Sequence, residues 1–148
     1  MLQDHLKYLL QHADIHFEQP LNGGYIEVSD AATHVPLAWV KASDRQAVEQ
    51  AIIRSQAAQR MWKAKTALQR ADVLWAWYNL ILQNQEQLAQ ILTAEQGKPL
   101  LEARGEITYA ASFIRWFAEQ ARRIDGEVLT PTQPNQRLLV IKQAIGVT

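Results

Sequence analysis

Cysteine is absent from the 148 residues of the chain. With it go disulfides, thiolate metal sites and any thiol nucleophile. The compartment stays open on this ground, because a chain without thiols tolerates either redox state. An excess of one charge is absent too: 15 Lys and Arg balance 15 Asp and Glu. A neutral chain sets up little field for a polyanion, so nucleic acid is not an expected partner. No apolar run approaches the roughly 20 residues that a membrane span needs. The opening MLQDHLKYLLQHADIHFEQ carries acidic Asp4 and no basic stretch ahead of a long apolar core, unlike a signal peptide. No membrane is expected, and the cytoplasm is the expected location. Neither a GxGxxG turn nor a P-loop pattern occurs, so no phosphate-cradling loop is visible.

What remains is the composition of a folded soluble domain, 48% apolar and 20% charged. Leu2, Leu6, Leu9 and Leu10 recur at helical spacing, which predicts a peripheral helix over 2–12. Pro20 and Asn22-Gly23-Gly24 break it, the Asn-Gly pair being a turn former that tolerates positive φ. Tyr25–Val28 and Leu37–Val40 are short β-type runs around the turn-like SDAATHVP, a small antiparallel hairpin.

Helical periodicity then takes over. Ser43 with Gln46, Thr66 with Gln69 and Asn84 with Gln87 each form a capping-box pattern. The first helix carries Val48, Ala51, Ile52, Ser55 and Trp62 on one face, and the second is apolar around much of its circumference. Gly97 suits a left-handed stop to the third, and Pro99 the first turn of a fourth that runs to about Ile124. Spacing of 100° per residue sorts that fourth helix into stripes. Ile107, Ala111, Ile114, Ala118 and Ala121 make one apolar face, and Tyr109, Phe113 and Trp116 lie nearly opposite. Thr108, Ser112, Arg115, Glu119 and Arg122 form a polar strip between them, with Glu119 and Arg123 at ion-pair spacing. A helix with two apolar faces expects partners on both. Gly126 ends it, residues 130–135 are a loop, and Arg137, Leu138, Leu139, Val140, Ile141 and Lys142 form the clearest strand. The strand-like ending at Ile145–Thr148 reads as a cut, and the chain is expected to be truncated after 148. The fold class is helix-rich α+β.

Chemistry-bearing constellations are few. His12 and His16 stand four apart and could share a metal on a helix, but no third ligand follows at suitable spacing. The simpler reading is two solvated polar residues. Glu102 and Glu106 could act as paired carboxylates, although acids in a first turn also simply favour a helix N-terminus. Ser112 has no His or Asp in any recognisable triad pattern. No catalytic, cofactor-binding or metal residue emerges from the residues alone.

The stretch LTAEQGKPLLEARGEI, residues 92–107, resembles the aldehyde dehydrogenase superfamily's E-x-GKP-x-x-EA-x-x-E signature. Downstream, YAASFIRWFAEQARRIDGEVL and RLLVIKQAIGVT resemble the succinate-semialdehyde dehydrogenase branch. The likeness is nearly continuous from Ser43 to Thr148. It is looser at Leu21–Tyr25 and Ser29–Thr33, where the family has an INGEW-like strand and an NPATG-like turn.

The resemblance implies the N-terminal part of an aldehyde dehydrogenase-like α/β fold: a β-hairpin, four helices, then a strand of the oligomerisation sheet. It divides the chain into an N-terminal helix and linker (1–20), the N-terminal part of an NAD(P)-binding domain (21–128) and the start of the oligomerisation region (129–148). Tyr109 and Phe113 become candidates for the wall of the substrate tunnel, although ordinary core packing accounts for them equally. Arg137–Lys142 becomes a strand that pairs within a homo- or hetero-oligomer. The implied chemistry is oxidation of an aldehyde, succinate semialdehyde in the first instance, to the acid with NAD or NADP. In the family a cysteine thiolate attacks the aldehyde, a glutamate activates the hydrolytic water, and an asparagine in a PWN motif helps to hold the oxyanion. None of these has a matching position here. The chain by itself is therefore expected to bind no cofactor and to be inactive. Two other readings remain open: a non-catalytic module that joins full-length subunits, and a decayed remnant.

Overall fold

The structure, a computed structural model, describes residues 14–148. Its elements in order are β1 (Ile15–His16), β2 (Tyr25–Ser29), β3 (Pro36–Lys41), α1 (Arg45–Ala64), α2 (Ala67–Gln83), α3 (Gln85–Gln96), α4 (Leu100–Gln120), a 3-10 turn (Ala121–Arg123), β4 (Glu127–Leu129) and β5 (Leu138–Val140). The helix expected over 2–12 and the first of the two histidines, His12, lie outside the described residues.

The hairpin expected from the two β-type runs forms. Tyr25 faces Lys41 and Glu27 faces Trp39, with an irregularity between Val28 and Ser29. Asp30 closes the connection: its Oδ1 accepts from the backbone N–H of Ala32 (2.9 Å) and Thr33 (2.8 Å). A third strand joins on the other side, Ile15 opposite Val40, so the sheet order is β1-β3-β2, all antiparallel. Two residues are too few to show a period, and the sequence holds no sign of β1.

Three helix boundaries follow local chemistry, and three others differ from the expectation. The Thr66 box is complete: Thr66 Oγ1 accepts from Gln69 N–H, and Gln69 Oε1 accepts from Thr66 N–H. Gly97 ends α3 with φ of 78°. Pro99 stands at the N-cap of α4, one residue ahead of the first turn, and its carbonyl accepts from Ala103 N–H. At α1, however, the cap is Asp44 rather than Ser43; its carboxylate accepts from Ala47 N–H at 2.7 Å. An ionised oxygen is the stronger acceptor at a positive helix end. Asn84 does not cap α3 through its side chain. Its Nδ2 instead donates to Leu80 O at the end of α2, because one residue serves both helix ends. The fourth helix tightens into the 3-10 turn at Ala121 before reaching Ile124, and Glu119 pairs with Arg115 rather than Arg123.

Helices α2, α3 and α4 pack on one another through alanine. Ala71 of α2, Ala89 of α3 and Ala103, Ala111 and Ala118 of α4 are buried, and no large side chain among the described residues is fully so. Methyl-sized residues let helix axes approach closely. The hairpin sits on α3: Leu37 is buried against Phe17, Ile91 and Ala94, and Ala31 N–H donates to Ala94 O at 3.0 Å. A Cβ on Gly97 would stand 3.2 Å from the Ala31 methyl, so glycine serves both the turn and this approach. Helix α1 buries none of its side chains; Val48 and Ile52 are about half exposed.

Candidate functional site

Helix α4 presents the two faces that its spacing requires. Ala111, Ala118 and, just beyond the helix, Ala121 are buried, while Ile107 and Ile114 are half-buried beside them. On the other side Tyr109 (66%), Phe113 (48%) and Trp116 (58%) are exposed, and Phe117 joins them. Tyr109 and Phe113, four apart, meet edge to face with ring centroids 4.9 Å apart at 80°, the arrangement that ring quadrupoles favour.

An open groove of about 550 Å³ follows this face, lined by Ser112, Phe113, Arg115, Trp116, Phe117 and Glu119. Its charge is internally balanced. Arg115 Nε donates to Glu119 at 3.0 Å, and the guanidinium lies 5.9 Å from the centroid of the Trp75 ring. The Glu119 carboxylate, and after it the Tyr78 oxygen, holds the Arg115 guanidinium protonated above its ordinary range. Ser112 Oγ donates to Tyr109 O at 2.6 Å, the local bond of a helical serine to its own backbone. The groove can hold an apolar chain; it offers no nucleophile.

The signature segment turns out to be architectural. Gly97 caps, Pro99 starts α4 and Ala103 fills the helix seam. Lys98 Nζ pairs with Glu106, which removes Glu106 from any carboxylate dyad with Glu102. Arg104 grips Glu86 of α3 in two-pronged fashion, Nε to Oε2 at 2.7 Å and Nη2 to Oε1 at 2.9 Å. Beside it Gln85 Nε2 donates to Arg104 O (3.0 Å) and Thr108 Oγ1 (2.7 Å). Residues 18 or more apart obey no helical spacing rule, so this cluster leaves no trace in the sequence.

His16 lies in β1, not on a helix, with its ring edge to face with Tyr25 at 4.9 Å. Its proposed partner His12 lies outside the described residues. Among the described residues no group of three or more His, Asp or Glu could hold a metal.

The strand read over Arg137–Lys142 shortens to Leu138–Val140 and pairs antiparallel with β4, Glu127 opposite Val140. β4 was not legible, being three residues after a glycine. Val128 (79%), Leu139 (72%) and Ile141 (73%) remain exposed on this ribbon. No described helix is long and apolar enough to cross a membrane.

Residues 19–148 match the family model described as the aldehyde dehydrogenase family. The chain is 47% identical over 127 residues to a glutarate-semialdehyde dehydrogenase of Pseudomonas putida, covering 86% of this chain and 26% of that protein. It is 46% identical over 127 residues to the NADP(+) succinate-semialdehyde dehydrogenase of Escherichia coli, with the same two coverages. Among solved structures, the succinate-semialdehyde dehydrogenase of Burkholderia pseudomallei superposes with a TM-score of 0.83 at 39% identity, over 99% of this chain and 30% of that one. The chain thus spans about a quarter of the length of the curated relatives it matches. On sequence and on fold alike, the chain belongs to the aldehyde dehydrogenase family.

Proposed function

We propose that this chain is the N-terminal segment of an NAD(P)-dependent dehydrogenase acting on a short aldehyde with an acid group at its far end. The carrying observation is the set of relatives. Proteins named for glutarate semialdehyde, succinate semialdehyde and 3-sulfolactaldehyde match at 47%, 46% and 44% identity. All three substrates join an aldehyde to a carboxylate or sulfonate. In this reading residues 21–128 open the NAD(P)-binding domain and 129–148 begin the oligomerisation region.

The segment's own contribution is scaffold and wall. Tyr109 and Phe113 line the substrate tunnel: their face is aromatic, exposed in this chain and without net charge, which suits the methylene portion of such a substrate. Arg137, Leu138, Leu139, Val140, Ile141 and Lys142 supply an oligomerisation strand, supported by the exposed apolar residues at its centre. Covalent catalysis by a thiolate has no donor in a chain without cysteine. The 148 residues alone therefore oxidise no aldehyde by this route, and in this reading they hold no nicotinamide cofactor. The test is absorbance of NAD(P)H after the purified chain is mixed with succinate or glutarate semialdehyde and either cofactor. No reduction is expected; reduction abolished by a deletion within this chain would overturn the assignment.

The exposed β4–β5 ribbon also favours a second reading, in which the segment joins full-length subunits without catalysing anything. Co-elution with a full-length relative supports that reading, and a monomer indifferent to such a relative removes it.

A further inference from the structure

We propose that Asn22-Gly23 is a site of spontaneous deamidation, a covalent modification that places a new negative charge at the entrance to β2. The inference is independent of the proposed activity. The pair lies in the bend between Pro20 and Tyr25, with Leu21 to Gly24 all exposed. Neither the Asn22 amide nor the Gly23 N–H takes part in a hydrogen bond among the described residues; the nearest anchor is Gly24 O, which accepts from Ala42 N–H at 2.8 Å. A Cβ built on Gly23 would meet nothing within 4 Å, and the positive φ of this turn belongs to Gly24 (94°) instead. The Gly23 nitrogen thus makes no hydrogen bond in an exposed bend, and the absence of a Cβ at Gly23 leaves room for it to approach its neighbour's side chain.

The step balances without any co-reactant except water. Gly23 N attacks Asn22 Cγ; the N–Cγ bond forms, the Cγ–Nδ2 bond breaks, and ammonia leaves with the proton from the Gly23 amide. Water then opens the succinimide. Cleavage of N–Cγ gives aspartate, and cleavage at the main-chain carbonyl gives isoaspartate with the chain routed through the former side chain. Either product turns the balance of 15 cations and 15 anions into one net negative charge.

Other asparagines are held back by their surroundings. Asn79 lies inside α2, and Asn84 donates to Leu80 O between two helices. Asn135 is exposed, but its successor Gln136 carries a side chain and donates its N–H to Gln133 O at 3.3 Å.

The purified chain, aged at mildly alkaline pH, is mapped by peptide mass spectrometry and by isoaspartyl methyltransferase labelling. Conversion is expected at Asn22 as mixed aspartate and isoaspartate, at least about tenfold faster than at Asn135, a barrier difference of about 1.4 kcal/mol. Gly23→Ala, which the open space accommodates, is expected to slow conversion at Asn22 while leaving Asn135 unchanged. Equal rates at Asn22 and Asn135 in the unaltered chain, or a Gly23→Ala variant that converts as fast, would overturn the proposal.

Discussion

Arg104 of α4 holds Glu86 of α3 through two parallel hydrogen bonds, 2.7 and 2.9 Å, and so ties the signature helix to the helix before it. Planar guanidinium and carboxylate match in this geometry, which a lysine cannot reproduce. The Arg104 guanidinium first, and the Gln90 amide second, hold the Glu86 carboxyl down to about 2 from an ordinary 4.5.

A carboxyl whose folded value is depressed contributes stability above its unfolded value and loses it as protons are added. For Glu86 the contribution is complete above about 4.5 and fades toward about 2. Both side chains are nearly half exposed (41% and 47%), so solvent and salt keep the effect modest. Glu86→Gln is expected to lower the urea midpoint at neutral pH and to flatten the acid limb of the stability profile. An unchanged acid limb in that variant contradicts the assignment.

Two glycines separate conformational cost from steric need. Gly105 lies inside α4, where an added Cβ would meet nothing within 4 Å. Gly105→Ala is expected to stabilise the chain by roughly 0.5–1 kcal/mol. At Gly126 a Cβ would fall 2.3 Å from Val140 O, a backbone atom across the ribbon. Gly126→Ala is expected to separate β4 from β5. Amide hydrogen exchange reads this as lost protection at residues 127–129 and 138–140; retained protection there counts against the geometry.

The caps make a third comparison. Thr66→Ala removes half of a closed box and is expected to cost about 1 kcal/mol. Asp44→Ala is expected to cost a similar amount, and Ser43→Ala to fall within about 0.5 kcal/mol of the parent, as surface changes do. Thermal melts of the three variants check the order. A Ser43 variant weaker than the Asp44 variant reverses the assignment of the α1 cap.

What could be read in advance was local. Thr66, Gly97 and Pro99 mark helix ends through bonds made within a few residues, and the stripes of α4 follow from its pitch. The burial of Ala111 and Ala118 opposite exposed Tyr109 and Phe113 is that pitch realised. Trp77 and Trp116 are exposed, whereas Trp75 is half-buried, with its ring edge to face with Tyr78 and Arg115 over it. Features that join distant residues left no mark. β1 and β4 are two and three residues long and exist only through their partners. The Glu86–Arg104 clamp joins two helices across a loop. Asp44 displaced Ser43 by acceptor strength, a choice that pattern alone does not make.

The role proposed for this segment, the N-terminal part of a semialdehyde dehydrogenase without its reactive groups, requires that it work inside a full-length relative. Its most direct test is a chimera in which residues 19–148 replace the matching part of the Pseudomonas putida glutarate-semialdehyde dehydrogenase. The chimera is expected to reduce NAD(P) with glutarate semialdehyde. Phe113→Ala within it is expected to lower kcat/KM without lowering the melting temperature. A folded but inactive chimera, or aldehyde oxidation by the isolated chain, would contradict that role.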